Sequence, residues 1–377
     1  MINKNIKRII QDKIESKLFK GKIIVIYGAR QVGKTTLVRE IQKKYKDSKY
    51  LNCDEIDIRE ALTDKTSTEI KNFLGNKKLI ILDEAQRIKN IGITLKLIVD
   101  NFPEIQIVAT GSSSFDLSNE INEPLTGRKY EFRLYPFSLQ ELKSIYSDIE
   151  LDRILEGLLI FGSYPEIIIN RDDVIENLKN ITSNYLYKDI LQFQNLKNPE
   201  ILEKLLQALA LQIGNEVSYN ELSSIVGVDK KTISNYINIL EKSFVIFRLR
   251  PFNKNIRNEL RKLRKIYFYD LGIRNALINN FNPVNLRNDF GFLWENFMIS
   301  ERMKYNDYEH NNVNSYFWRT TQKQELDYLE DKNGALSAFE FKFNKDKLTK
   351  PKVFLENYKN SSIELINNKN FKKFLNL

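Results

Sequence analysis

The sequence predicts an α/β protein that begins with a parallel sheet covered by helices on both faces. Short apolar runs of strand length alternate with helical stretches up to about residue 145, and this alternation is typical of parallel sheets. A glycine-containing loop joins the first of these runs to the helix that follows it. Hydrophobic residues make up 42% of the 377 residues and charged residues 29%, which is the composition of a globular protein.

The elements of this first part can be assigned in chain order. Apolar residues at helical spacing predict a leading helix within residues 1–20. The predicted strands are Ile23–Tyr27, Tyr50–Cys53, Leu79–Leu82 and Ile105–Ala109. The predicted helices are Thr35–Tyr45, Glu55–Leu62, Ser67–Phe73 and Gly92–Asn101. Because helices lie between the strands, the strands are expected to run parallel and to end at one edge of the sheet.

The pattern changes twice after this part, and the changes predict three domains, over residues 1–150, 151–285 and 286–377. Residues 151–213 have helical periodicity, and residues 218–250 combine two short helices with an apolar run. The last domain is predicted to be a small α/β unit, with helices at 289–305 and 351–358 and strands at Ser315–Trp318, Glu325–Leu329, Leu336–Phe343 and Ile363–Ile366.

Composition excludes several kinds of site. A single cysteine, Cys53, rules out an internal disulfide framework, and a single histidine, His310, rules out the usual His-based zinc sites and Ser-His-Asp triads. Catalysis is therefore expected to use carboxylates, Lys, Arg, Ser or Thr, with a hard cation such as magnesium. We see no apolar run long enough to span a bilayer and no signal peptide, so we expect a cytoplasmic protein with no membrane partner.

The most specific motif is the run GARQVGKT at residues 28–35, which fits G-x-x-x-x-G-K-[ST] between a strand and a helix. Its glycines let backbone N–H groups converge on phosphate oxygens, and the helix N-terminus adds partial positive charge. Lys34 is expected to neutralise the β- and γ-phosphates of ATP, and the Thr35 hydroxyl to bind magnesium.

Two carboxylates follow the apolar strand Leu79–Leu82, at the edge where α/β sheets bind ligands. Asp83 is expected to hold magnesium through water, and Glu84 to act as general base on the attacking water. The alternative is an acidic pair that simply faces solvent. The residues expected to bind ATP and its magnesium ion are Gly28, Arg30, Gly33, Lys34, Thr35, Thr36 and Asp83.

Two further residues are candidates for contacts with the γ-phosphate. Ser112 follows the strand Ile105–Ala109 and could sense that phosphate, although a common Ser/Gly loop is the alternative. Arg128 follows a glycine turn and could be an arginine finger that stabilises transition-state charge, or a surface arginine.

Residues 218–242 are predicted to form a helix-turn-helix. Ser218 and Asp229 can cap its two helices, and Gly227 can make the turn. The second helix carries polar side chains suited to phosphates and base edges, namely Lys230, Lys231, Thr232, Ser234 and Asn235. The next segment has a marked basic surplus, with Lys254, Arg257, Arg261, Lys262, Arg264, Lys265 and Arg274. DNA is the expected partner, and a protein-contact or lid role is the alternative.

The C-terminal part contains a set of residues that is typical of metal-dependent nucleases. Asp327 lies on one predicted strand, and Glu340 and Lys342 share a face of the next. Glu295 could complete a magnesium site from a helix, and Glu325 is a competing carboxylate. The alternative is that these carboxylates only form salt bridges, with Lys342 and Arg319 as partners.

The chain resembles the prokaryotic AAA-type ATPases that carry a C-terminal domain of unknown function. The resemblance rests on the runs GARQVGKTTL, LDEAQ, TGSSS, LTGR and YPFSLQEL, and further on YLYKDI, YFYDLGIRNAL, GFLWENFMISE and LDYLEDKNGALSAFEFK. It implies an ATP-binding AAA core, a winged-helix region and a restriction-endonuclease-like domain. It also implies that Arg128 is a functional arginine. The pattern departs from the nuclease signature because Leu326, not proline, precedes Asp327.

These observations give three hypotheses. The first is an ATP- and magnesium-dependent protein that acts on DNA, with nuclease activity as a further possibility. The second is a nucleotide-gated switch that binds DNA or protein and has no nuclease activity, and the third is a protein-remodelling ATPase. A homo-oligomer is compatible with each.

Overall fold

The computed structural model describes residues 6–112, 121, 123–183, 198–253, 264–320, 322, 324–348 and 351–377. By its internal packing the chain divides into two compact units, and the division into three domains stays a prediction. The first contains Lys7–Tyr135 and Lys242–Phe244, and the second contains Pro136–Glu241 and Val245–Leu377. The predicted division at residues 285 and 286 therefore falls inside one unit.

The first unit contains a five-stranded parallel sheet in the order β2-β3-β4-β1-β5. Its strands are β1 Ile23–Tyr27, β2 Ser48–Asn52, β3 Leu79–Asp83, β4 Gln106–Gly111 and β5 Lys129–Arg133. Strands β1, β3 and β4 are buried along their whole length, as expected for a sheet covered on both faces. The predicted parallel sheet is confirmed.

Helices connect these strands, as the alternating pattern predicts. The connecting helices are α2 Lys34–Lys43, α3 Ile56–Leu62, α4 Ser67–Leu74 and α5 Ile91–Asn101, and helix α1, Ile10–Glu15, precedes β1. Helix α2 buries Leu37, Val38 and Ile41 on one face. Helix α4 starts at a capping box, in which the Thr66 side chain and the Glu69 side chain each accept a hydrogen bond from the other residue's backbone N–H.

The second unit begins with helices. Its helices are α6 Leu139–Lys143, α7 Asp148–Phe161, α8 Pro165–Ile169, α9 Val174–Ile181, α10 Pro199–Leu211, α11 Tyr219–Val226, α12 Lys230–Lys242, α13 Leu271–Leu277, α14 Phe290–Tyr308, α15 Lys352–Asn357 and α16 Phe371–Phe374. No helix in the described part of the chain has the length and apolar character needed to cross a membrane.

One seven-stranded sheet runs through the second unit, in the order β12-β11-β10-β9-β7-β8-β6. Its strands are β6 Glu216–Val217, β7 Ile246–Pro251, β8 Arg264–Phe268, β9 Asn314–Arg319, β10 Glu325–Lys332, β11 Ala335–Phe341 and β12 Ser361–Ile366. Strand β8 is antiparallel to β6 and β7, whereas β7 pairs in parallel with β9. The β7–β9 pairing joins strands of the predicted second and third domains in one sheet.

Candidate functional site

The loop at residues 28–35 connects β1 to α2 and requires glycine at two positions. A Cβ atom on Gly28 would lie 2.3 Å from the backbone oxygen of Leu134, and Gly33 has a φ of 97°. Arg30 is half-buried within the loop, and Thr36 is exposed in the first turn of α2. The backbone can therefore form a close cradle at the N-terminus of a ten-residue helix.

The Lys34 ammonium lies inside this loop and is 4% exposed. It donates hydrogen bonds to the backbone oxygens of Gly28 at 2.9 Å and Ala29 at 3.0 Å. Its Nζ atom is 3.8 Å from Oε1 of Glu84. The loop thus positions a cation beside the first residue after β3.

Asp83 is the last residue of β3 and accepts hydrogen bonds from three hydroxyl groups. Thr35 Oγ1 and Tyr50 OH each donate to its Oδ2 atom at 2.6 Å, and Thr110 donates to Oδ1. Burial and the hydrogen bond to Asp83 raise the pKa of Tyr50 well above its ordinary value. Thr35 and Asp83 place a hydroxyl and a carboxylate together, and this all-oxygen donor set fits magnesium.

Glu84 has a left-handed backbone conformation, with a φ of 56°, and its backbone N–H donates to Thr110 Oγ1 at 3.0 Å. The Gln86 amide nitrogen donates to Glu84 Oε2 at 2.6 Å and to Ser112 Oγ at 3.0 Å. The Gln86 amide therefore contacts both Glu84, the predicted base, and Ser112, the predicted phosphate sensor. Sequence reasoning missed Gln86, although it lies in the LDEAQ run.

Arg8 is a second residue that the motif search missed. Its guanidinium is 6% exposed and donates to the backbone oxygens of Val32 at 2.6 Å and Tyr135 at 2.5 Å. Arg8 therefore fixes the phosphate loop from the segment that precedes β1. No local pattern marks this arginine, because its partners are backbone atoms from distant parts of the chain.

Arg128 lies at the N-terminal end of the parallel strands, whereas the phosphate loop lies at their C-terminal end. Strand β5 is parallel to β1, with Lys129 beside Ile23, and the Ile23 N–H donates to the Arg128 oxygen at 2.9 Å. Arg128 thus precedes the starts of the strands, about 15 Å from their other ends. Its side chain is 41% exposed and forms an ion pair with Asp100 at 2.7 Å. Arg128 is therefore remote from the phosphate loop of its own chain.

The C-terminal candidates do come together. Lys342 Nζ is 2.9 Å from Glu340 Oε1 and 3.5 Å from Asp327 Oδ2, and Asp327 also accepts the Phe341 N–H at 2.9 Å. The pairing of β10 with β9 shifts register between Leu326 and Leu329, in the interval that contains Asp327. Burial and the Asp327 charge raise the pKa of Glu340.

Lys265 enters this cluster from β8. Its ammonium is 3.0 Å from Glu295 Oε1 and 2.5 Å from Glu325 Oε1, and the Tyr267 hydroxyl donates to Glu295 at 2.6 Å. Burial alone would lower the pKa of Lys265, but the surrounding carboxylates raise it above the ordinary value. Burial and Asp327 raise the pKa of Glu295 to about 7.

The position of Lys265 corrects the prediction that it belongs to a DNA-binding surface. Its side chain is 2% exposed and compensates the charge of buried carboxylates, so it is not available to DNA phosphates. Arg274 is also wrong as a DNA contact, since it is 1% exposed and pairs with Asp289 at 2.5 Å. Arg264 is half-buried. Four other residues of that basic segment lie outside the described residues, namely Lys254, Arg257, Arg261 and Lys262.

The carboxylates of this cluster have lysine partners. Within the described ranges, no group of three or more His, Cys, Asp or Glu side chains is arranged to hold a metal ion. Lys265 and Lys342 occupy the carboxylates instead, and Arg319 pairs with Glu325 at 3.6 Å and Glu216 at 2.8 Å. These ion pairs include the two partners, Lys342 and Arg319, of the salt-bridge alternative, and the metal site stays a prediction.

Helices α11 and α12 have the predicted caps and turn. The Glu221 N–H donates to Ser218 Oγ at 3.4 Å, and Gly227 is left-handed with a φ of 80°. Asp229 Oδ1 accepts the backbone N–H groups of Lys231 at 2.8 Å and Thr232 at 3.0 Å. The exposed residues at this end of α12 are Lys230, Lys231 and Asn235, while Thr232 and Ser234 are half-buried.

Comparison with protein families agrees with the geometry of the first unit. Residues 20–143 match the model of an AAA domain. This part of the chain is therefore similar to AAA domains and contains the phosphate loop described above. Residues 152–284 and 290–372 match two models that are each described as a domain of unknown function.

Similar proteins occur in archaea and bacteria. Uncharacterized protein MJ1544 of Methanocaldococcus jannaschii is 27% identical over 344 residues, which cover 85% of this chain and 75% of that protein. Uncharacterized protein Rv2008c of Mycobacterium tuberculosis is 25% identical over 335 residues, 88% of this chain and 72% of that protein. The solved Walker-type ATPase of Pyrococcus abyssi has a TM-score of 0.51 at 16% identity and covers 72% of this chain and 96% of its own. That likeness extends to the fold alone.

Proposed function

We propose that the first unit binds ATP with magnesium and hydrolyses it. The observation that carries this proposal is the hydrogen bond of 2.6 Å between Thr35 and Asp83, formed beside a glycine cradle that contains the Lys34 ammonium. Two segments that are distant in the sequence, the loop between β1 and α2 and the end of β3, converge there. The AAA domain match supports the same activity.

The residues of the site can divide the reaction among them. Magnesium, held by Thr35 and Asp83, would neutralise charge on the phosphate oxygens when bound. Lys34 would leave the loop's carbonyl oxygens for the phosphates, which are stronger acceptors because they are charged. Glu84 would take the proton of the attacking water.

The test of this role is Glu84→Gln, which keeps the size of the side chain but removes the base. We expect magnesium-dependent ATP binding to persist and hydrolysis to fall by about 10²-fold or more. Phosphate release and the affinity for a fluorescent ATP analogue should be measured together. Equal turnover by the variant and the wild type would place the base elsewhere.

We also propose that helices α11 and α12 bind duplex DNA as part of a winged helix. The specific support is the three-stranded antiparallel arrangement β6-β8-β7 around a capped helix pair, because this topology places a helix where it can enter a groove. Lys230 and Lys231 are exposed at the start of α12 and would contact phosphates.

The DNA proposal predicts a salt-dependent affinity. Replacing Lys230 and Lys231 together by alanine should weaken binding of a labelled duplex and reduce the log–log salt slope by about two. A matched pair, Lys179 and Lys204, is exposed on α9 and α10, and its replacement should leave the slope unchanged. An unaffected slope in the first variant would assign α11 and α12 to protein contact instead.

We propose that the C-terminal cluster is a charge-compensated ion cluster and not a site of DNA cleavage. Lys265 and Lys342 neutralise carboxylates that a metal ion would need. The chain would then be a nucleotide-gated switch. A plasmid incubated with the protein, magnesium and ATP should stay intact, and cleavage that is lost in Asp327→Ala would overturn this assignment.

A further inference from the structure

Gln86 occupies a bridging position in the nucleotide site. It lies in the helical turn Ala85–Arg87, directly after Glu84. Its Nε2 atom donates to Glu84 Oε2 at 2.6 Å and to Ser112 Oγ at 3.0 Å. One amide therefore connects the side chain that follows β3 with the hydroxyl that follows β4.

The other polar atom of the Gln86 amide is an orphan. Its Oε1 atom is buried and has no hydrogen-bond partner within the described part of the chain. The orientation of the amide is fixed, because rotating it would place the carbonyl oxygen against the Glu84 carboxylate. A buried acceptor without a donor is costly, so this atom indicates a donor that arrives with the substrate.

We propose that Gln86 binds the attacking water of ATP hydrolysis. The water would donate one proton to Oε1 of Gln86 and direct the other towards Glu84, so that two neighbouring side chains fix its orientation. This role rests on the proposed ATPase function and adds a second residue to the reacting centre.

The reaction balances with these groups alone. The water oxygen forms a bond to the γ-phosphorus, and the bond from that phosphorus to the β,γ-bridging oxygen breaks. The electron pair of the broken bond leaves with ADP, and the water proton moves to Glu84, which returns it to solvent after phosphate is released. Gln86 stays neutral throughout and contributes only position.

The link to Ser112 gives Gln86 a second task. Ser112 is 3% exposed and shares the Gln86 donor with Glu84. A γ-phosphate that accepts a hydrogen bond from the Ser112 hydroxyl would orient that hydroxyl's acceptor lone pairs towards Gln86. The amide would therefore be fixed most firmly when ATP, rather than ADP, occupies the site.

The experiment compares Gln86→Leu with the wild type, because leucine has a similar size and no polar atoms. We expect kcat for ATP to fall by about 10- to 100-fold while KM changes less than about twofold. Affinity for ADP should be unchanged, whereas affinity for ADP with aluminium fluoride, a transition-state analogue, should fall about tenfold or more. Gln207→Leu on α10 serves as the matched control, and it should behave as the wild type in all measurements.

A second variant separates orientation from folding. Gln86→Asn keeps the amide but is one methylene shorter, so it cannot span the contacts to both Glu84 and Ser112. It should fold as the wild type and still lose kcat. Wild-type kcat in Gln86→Leu would overturn the proposal, and so would a loss of ADP binding or an unchanged affinity for the aluminium fluoride complex. A wild-type chain that binds ADP but never hydrolyses ATP would instead overturn the proposed function, and this role with it.

Discussion

The carboxyl group of Glu295 is ionisable and buried. Its side chain accepts hydrogen bonds from Lys265 and Tyr267, yet burial and the Asp327 charge still raise its pKa to about 7. A carboxyl with a raised folded-state pKa contributes its stability fully below the ordinary value of 4.5. That contribution is lost as the pH rises through about 7.

Glu295→Gln should therefore change how stability depends on pH. Glutamine has no proton to lose, so the stability of the variant relative to the wild type should increase between pH 5 and pH 8. Chemical denaturation at both pH values measures this difference. The matched change Glu364→Gln, at an exposed position on β12, should leave the pH dependence as it is in the wild type. An equal difference at both pH values would contradict the raised pKa.

The nucleotide-site residues show what a sequence can and cannot predict at this scale. Lys34, Thr35 and Asp83 follow from motifs, since each lies at a fixed distance from a glycine loop or a strand end. Tyr50 and Arg8 do not, because they reach the site from other segments and only the folded chain brings them there. No spacing in the sequence encodes such contacts.

At the scale of elements, strand β8 shows how a basic pattern can mislead. Lys265 lies on β8 with Arg264, and by composition both resemble a basic surface. In the folded chain β8 is an inner strand between β6 and β7, and Lys265 is buried against Glu295 and Glu325. Charge counted along the sequence therefore does not distinguish a DNA contact from a buried ion pair.

Lys265→Met should destabilise the second unit by about 3 to 5 kcal/mol, because it leaves buried carboxylates without a counter-ion. Both tryptophans of the chain, Trp294 and Trp318, lie in that unit, so tryptophan fluorescence during urea unfolding reports on it directly. Arg264→Met, at the half-buried neighbouring position, should cost less than about 1 kcal/mol. A similar loss in both variants would mean that the ion cluster contributes nothing specific.

The elements that sequence reasoning missed or misplaced share a physical cause. Strand β5, Lys129–Arg133, is a sheet edge in which only Phe132 is buried, so it lacks the apolar run that revealed β1, β3 and β4. The continuous sheet of the second unit depends on the pairing of Arg250 with Tyr316 and Pro251 with Phe317. Such long-range register is set by tertiary packing and has no local signal.

At the scale of the whole molecule, the position of Arg128 bears on assembly. It lies just before β5, at the N-terminal end of the parallel strands, whereas Lys34 and Glu84 of the same chain lie at the C-terminal end. An arginine finger at this position can act only on the nucleotide of a neighbouring copy. We therefore predict a homo-oligomer in which Arg128 completes the adjacent site.

Mixing two inactive variants tests this arrangement. Arg128→Ala keeps Glu84, and Glu84→Gln keeps Arg128, so a mixed assembly should contain some complete sites and recover part of the ATPase activity. Mixing Lys34→Ala with Glu84→Gln should recover none, because both changes disable the same side of the site. Activity in the first mixture that only equals the sum of its two components would rule out action between copies.

The central claim is that the first unit uses Lys34 to bind and hydrolyse ATP, and the most direct measurement compares magnesium-dependent phosphate release by the wild type and Lys34→Ala. Lys34 is buried in the phosphate loop, where its ammonium would face the β- and γ-phosphates of bound ATP. We expect steady release by the wild type and a loss of about 10²-fold or more in a variant with the same circular dichroism and melting temperature. Equal release by the two proteins, or a wild type with no affinity for ATP, would contradict it.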